Sequence, residues 1–212
     1  MGLGSKAGGP NYVMMRGSWH DAARPGTERR PSGDAAAWAT EFGAARDLTG
    51  LDSEANIFRY RPAELVLRVS ADAVAAEAVR ALLAARRAGA GVRIVADPDV
   101  APEVSALLAP ATGQLGFAAP ETREAVAFAA RLADGAYDVS VGARVRVIGT
   151  LDPVLRERLA ARPEVALLDD AVTASGRVEL RYWLKEQAVS ITLHRFGNPS
   201  SAFHALAEEL KG

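Results

Sequence analysis

The chain has 212 residues, 49% of them hydrophobic and 24% charged, with a formal net charge of −1 and no cysteine. That length supports one core of ordinary size, burying roughly 70% of the surface the unfolded chain exposes. The near-zero charge excludes an electrostatic footprint for nucleic acid or an anionic membrane, and the missing cysteine excludes disulfides, thiolate metal sites and thiol nucleophiles.

Residues 1–33 are rich in Gly, Pro, Arg and Ser, with a short extended run at Tyr12–Met15 and no helical period, and read as an arm or linker. Good helix formers behind Asp34 predict a short helix over residues 34–46. Residues 47–57 return to a loop-like composition. Leu65–Val69 reads as a buried strand and Asp72–Ala88 as an Ala-rich helix with Val74, Ala78, Leu82 and Ala85 on one face. Gly89 and Gly91 end that helix. A strand at Val92–Ala96 follows, then a helix from Pro102. A third short strand falls within residues 113–118, and a helix runs from Pro120 to just before Gly135. The fourth strand is Val139–Val141 or Val145–Ile148, or both; a helix from Asp152-Pro153 through Ala161 and a fifth strand at Val165–Leu168 come next.

Short strands alternating with helices predict an α/β fold: a mostly parallel, Rossmann-like sheet with helices on both faces. An extended arm precedes it. Beyond it, Val178–Lys185 and Ala188–His194 read as a strand pair, and residues 201–210 as a short terminal helix. No apolar run reaches the roughly 20 residues a membrane-spanning helix needs. Met1–Lys6 lacks the apolar stretch of a signal peptide, so a cytoplasmic protein is expected.

A doubly wound sheet raises the question of a dinucleotide site, which needs glycines directly after a strand and at the start of a helix. Gly89-Ala90-Gly91 has the reverse order. The turn after the first strand, Ser70-Ala71-Asp72, has no glycine and carries an acid where a pyrophosphate would sit; Gly142 has no companions at the required spacing. Asp97 is read as a cap of the turn before Pro98. His20, His194 and His204 show no zinc spacing, and His194 reads as a surface or packed residue. Asp169-Asp170 and Glu208-Glu209 read as surface charges, Arg29-Arg30 and Arg86-Arg87 as too few for a nucleic-acid groove, and Trp19, Trp38 and Trp183 as packing anchors. No metal site and no catalytic residue is predicted.

Gly4-Ser5-Lys6-Ala7-Gly8-Gly9-Pro10-Asn11-Tyr12 resembles a segment near the end of the catalytic domain of L-glutamate γ-semialdehyde dehydrogenases, including the bifunctional proline utilization A enzymes of the aldehyde dehydrogenase superfamily. Residues 50–62, with Gly50, Glu54, Asn56 and Pro62, resemble a stretch that precedes an extra C-terminal α/β domain in the longer enzymes; Ser53 stands where that pattern has a glycine. Leu180–Ser190 and Phe196-Gly197-Asn198-Pro199 resemble the closing segment, with Phe196 in place of its first glycine.

The resemblance implies that Gly8 and Gly9 hold the substrate's α-carboxylate through backbone N–H groups, for which a chain without Cβ atoms is suited. It implies three parts: residues 1–33 as the tail of a catalytic domain plus linker, 34–177 as a cofactor-free α/β domain, and 178–212 as docking strands and a short helix. The domain would cover the substrate passage, with the catalytic domain or a neighbouring subunit as partner. NAD and FAD would serve the parent enzyme and no cofactor this chain. The catalytic cysteine and general base would lie before Met1, so the chain alone is expected to be inactive, since the thiohemiacetal step needs a thiolate. Detached, the docking run is expected to self-associate. The alternatives are a free-standing α/β module that binds a nucleotide or small metabolite, and an interaction scaffold unrelated to proline.

Overall fold

The computed structural model describes residues 32–137, 143–195 and 197–211. A short helix α1 (Ser32–Ala37) runs into a π-helical turn (Trp38–Phe42), closed by Gly43 N–H donating to Trp38 O at 2.8 Å. Strands β1 (Arg46–Asp47), β2 (Glu54–Pro62) and β3 (Glu64–Val69) follow. Next come α2 (Ala75–Ala88), β4 (Gly91–Ala96), α3 (Pro102–Leu115), β5 (Glu121–Thr122) and α4 (Ala125–Ala133). The second half contains β6 (Arg144–Ile148), α5 (Pro153–Ala160), β7 (Ala166–Leu168), α6 (Gly176–Tyr182), β8 (Leu184–Thr192), β9 (His194–Arg195), β10 (Asn198–Pro199) and α7 (Ser201–Lys211).

β3 to β7 form a five-stranded parallel sheet in the order β5-β4-β3-β6-β7. The expected α/β class is therefore present. Side chains alternate across it, as the two-residue period of a strand requires. Leu65, Leu67 and Val69 of β3, with Ile94 and Ile148, pack against α2, α3 and α6. Val66, Val95, Val145 and Val147 face Phe128, Leu132, Leu155 and Leu159 of α4 and α5. The sheet is thus covered on both faces. Among the described residues no helix is long and apolar enough to cross a membrane.

A second, antiparallel sheet has the order β1-β2-β8. β2 and β8 pair over nine residues, from Glu54↔Thr192 to Pro62↔Leu184. They form an arm that leaves the body at Pro62–Ala63 and Trp183–Leu184, where Ala63 N–H donates to Trp183 O at 2.9 Å. α7 packs on this arm, closing a small core of Ala55, Ile57, Leu193 and Ala207.

Several elements depart from their sequence-based expectations. Residues 113–118 are not a strand: α3 continues to Leu115, and Gly116 caps it in the left-handed region at φ 78°. A Cβ there would strain the backbone, so glycine allows this stop. The third strand is instead the two-residue β5, and α4 begins at Ala125 rather than Pro120. The stretch 47–57, read as loop, contributes β2 from Glu54 onward. Residues 178–182, read as strand, are helical in α6, and β8 starts only at Leu184. Val74 does not join the buried face of α2; it is the N-cap residue and is exposed. β6 is Arg144–Ile148, while the alternative at Val139–Val141 lies outside the described residues, as do the Tyr12–Met15 run and most of the arm at 1–33.

Candidate functional site

In an open α/β sheet the natural ligand crevice lies at the carboxyl ends of the strands, where the strand order reverses. From β3 the chain moves outward to β4 and β5, then returns to the other side for β6 and β7. The crevice therefore falls between the ends of β3 and β6, lined by Ser70, Ala71 and Asp72 on one lip and Gly149, Thr150 and Leu151 on the other. Ser70 N–H donates to Ile148 O at 2.9 Å, stitching the lips at their base.

Asp72 spans the gap above that bond. Its carboxylate accepts from Thr150 N–H at 2.8 Å and from the Thr150 hydroxyl at 2.5 Å. The Thr150 hydroxyl, and then its backbone N–H, hold the Asp72 carboxyl below the usual carboxylate range. Gly149 makes the approach possible: at φ 88°, a Cβ on it would lie 2.6 Å from Asp72 Oδ1 and 3.0 Å from Ala73 N. An ionised acid thus occupies the place where a dinucleotide fold needs free N–H donors, and it repels phosphate rather than holding it.

One strand over, Asp97 Oδ1 accepts from Asp99 N–H at 3.1 Å, the turn-capping role expected of it. Its other oxygen pairs with Arg68, which the sequence reading passed over. Arg68 is buried on β3, donates to Arg123 O at 2.7 Å and stands 5.3 Å from the centre of the Phe128 ring; burial lowers its pKa below the ordinary arginine value. Arg68 and Asp97 together hold the loop between β5 and α4 rather than opening toward a ligand.

Two further arginines lie on β6, separated by one residue and so facing the same side. Arg144 donates through one nitrogen to the carbonyls of Arg181, Tyr182 and Leu184, at 3.3, 3.1 and 2.6 Å. Burial lowers its pKa as well. Arg146 is fully buried and stands 4.3 Å from the centre of the Tyr182 ring, beside the equally buried Glu179. The available signal was an arginine at every second position of an apolar run, Arg144-Val145-Arg146-Val147, an unusual pattern for a strand covered on both faces.

The remaining candidates are structural. His194, on β9, accepts from Gly197 N–H at 3.3 Å through Nδ1, and His204 is exposed on α7. Asp169 pairs with Arg156 at 2.7 Å, Asp170 accepts from the Tyr182 hydroxyl at 3.1 Å, and Glu208 pairs with Lys211 at 2.6 Å. Trp183 is fully buried, and Trp38 stands 5.9 Å under Arg87. Gly8, Gly9, His20 and Trp19 lie outside the described residues. Among the described residues no three His, Cys, Asp or Glu side chains form a group able to hold a metal ion.

The arm is the other feature open to a partner. Among the described residues β8 is hydrogen-bonded to a strand on one side only, β2.

No family model matches the chain, and no curated protein matches it. Solved structures do. The chain is similar to Proline Utilization A (PutA) from Corynebacterium freiburgense, with 30% sequence identity over 82% of the chain and a TM-score of 0.51. The match takes in 16% of that much longer protein. The cypemycin decarboxylase CypD matches 56% of the chain at 13% identity with a TM-score of 0.30, the matched part being 94% of that protein.

Proposed function

We propose that this chain is a non-catalytic C-terminal portion of a proline-catabolic, NAD-dependent L-glutamate γ-semialdehyde dehydrogenase of the proline utilization A kind. The observation that carries the reading is 30% identity over 82% of the chain to a protein of that name, of which the chain spans about one sixth. In the parent enzyme, NAD and FAD would serve catalytic sites outside this chain, and the cytoplasm would be its compartment.

The crevice geometry supports a structural role for the α/β body. Asp72 and Thr150 bridge its lips, so the fold offers an acid in place of a phosphate cradle. The body would then cover the substrate passage, and the edge of β8 that pairs with no described strand would dock on the catalytic domain or a neighbouring subunit, main-chain pairing supplying the contact. Gly8 and Gly9 would anchor the substrate carboxylate in the assembled enzyme.

The test is the mass of the native gene product, detected in its own cells with an antibody to residues 34–177. A band several times heavier than 22.3 kDa is expected; a band at 22.3 kDa makes the chain an independent protein and removes the proposal's premise. Two assays on the isolated chain complete it. NAD reduction with glutamate semialdehyde should be absent, and turnover would overturn the reading. Equilibrium dialysis against NAD, FAD and ATP should show no sub-millimolar binding, whereas binding would favour a nucleotide-holding module.

A further inference from the structure

Glu179 sits among buried charges that the proposed role does not use. It projects from the inner face of α6 and is fully buried. Oε2 accepts from Thr173 N–H at 3.1 Å, whereas Oε1 makes no hydrogen bond among the described residues and faces Arg146 Nη2 at 3.7 Å. Arg146 is directed elsewhere: its Nη1 donates to the carbonyls of Val147, Leu168 and Asp170 at 3.2, 3.3 and 2.5 Å. The indole N–H of Trp183 lies beside the carboxyl, outside hydrogen-bond geometry.

The other charged groups around α6 are already matched. Arg80 of α2 forms a two-pronged pair with Asp34 of α1 at 2.9 and 2.7 Å, and Asp170 receives the Tyr182 hydroxyl. Glu41 of the π turn is held by Arg177 and Arg181.

A carboxylate taken fully out of water and left without a hydrogen bond to its cation recovers little of its lost hydration. Burial accordingly raises the Glu179 carboxyl above the usual glutamate range, with Arg146, the Thr173 N–H, Arg80 and the Trp183 indole opposing. The position of α6 gives this a consequence. The helix ends at Tyr182, and Tyr182 to Leu184 form the root of the arm, gripped by Arg144.

We propose that Glu179 is a proton-operated latch: α6 and the root of the β2–β8 arm are held most firmly when the carboxyl carries a proton, and open more readily once it ionises. The closed state binds the proton more tightly than an opened α6 in which Glu179 reaches water. Closure is therefore fully stabilised below the ordinary glutamate pKa and weakens as pH rises through the raised one. Each pH unit of elevation multiplies the opening constant about tenfold once the carboxyl is ionised in both states.

Hydrogen exchange of the α6 and Tyr182–Leu184 amides in the whole 212-residue chain, from about pH 5 to about pH 9 and corrected for intrinsic rates, tests this. The wild-type opening constant should rise with pH at least tenfold. In Glu179→Gln, which imitates the protonated form, it should stay flat and low. A Glu179→Gln variant that opens more than wild type at every pH would overturn the latch and leave an ordinary ion pair. The 13C titration of the Glu179 carboxyl in the wild-type chain decides the matter even where the variant does not fold. A midpoint above that of a glutamate model peptide supports the latch, and one at or below it overturns it. Arg146→Met should move that midpoint further up; an unmoved midpoint would also count against the proposal.

Discussion

Gly149 and Asp72 depend on one another. The glycine adopts φ 88° and leaves room for the carboxylate that ties the two lips of the crevice together. Gly149→Ala introduces both a strained backbone and a contact of 2.6 Å to Asp72 Oδ1, and is expected to cost about 1–3 kcal/mol in urea denaturation. Asp72 also has a pH signature. Its carboxyl is depressed by the Thr150 hydroxyl, so the stability it adds is present above the ordinary aspartate pKa and is lost as pH falls through the lower folded value. Denaturation midpoints of wild type and Asp72→Asn should therefore differ at about pH 7 and converge toward about pH 2. A constant gap across that range would contradict the assignment. The acid itself was legible in Ser70-Ala71-Asp72. Its partner was not, because Thr150 lies 78 residues away and only the parallel pairing of β3 with β6 brings the two turns together.

At the scale of elements, α6 shows how a helix can pass for a strand. Val178-Glu179-Leu180-Arg181-Tyr182 alternates apolar and polar residues, the period of a half-buried strand. The buried positions are instead Gly176, Glu179, Leu180, Tyr182 and Trp183, linked by the spacings of three and four that belong to a helix. The stripe is disguised because one of its members is a glutamate. Gly176 matters for a different reason: a Cβ on it would lie 2.3 Å from Gly33 O, so the two helix starts cross in close contact. Leu180→Ala removes a fully buried side chain and should cost about 2–5 kcal/mol. Arg144→Met leaves three carbonyls at the α6–β8 joint without their shared donor, with an expected loss of about 1–3 kcal/mol. Amide exchange should localise that second effect to the joint; a loss spread evenly over the parallel sheet would show that Arg144 does not act there.

For the whole molecule, the arm and α7 act together. Ile57 and Leu193 are covered by α7, and Arg59 Nη1 ties that helix down through Leu210 O at 2.9 Å. A chain ending at residue 199 should expose this apolar patch, seen as increased binding of a hydrophobic dye with the parallel sheet still cooperative. The edge of β8 that pairs with no strand among the described residues makes a separate prediction. Sedimentation of the isolated chain should show concentration-dependent association, and Ala188→Lys should weaken it, since a lysine blunts an open edge. Equal association of both chains would place the contact elsewhere.

The sequence by itself determined the α/β body. β3, α2, β4, α5 and β7 were legible from apolar runs, capping residues and helix-ending glycines, because each of those signals acts within a few residues along the chain. It also showed that the first βα turn has an acid and no glycine. Only the tertiary structure decided the rest. The start of β2 falls in residues 47–57, which read as loop because Glu54 and Asn56 interrupt the apolar residues; its strand character comes from a nine-residue ladder to β8, some 130 residues away. No partner for Arg68, Arg146 or Glu179 can be read from the sequence, yet the packing of α4 and α6 buries all three. A charge is placed inside only when groups distant in sequence supply its partners, and no local pattern encodes partners that distant.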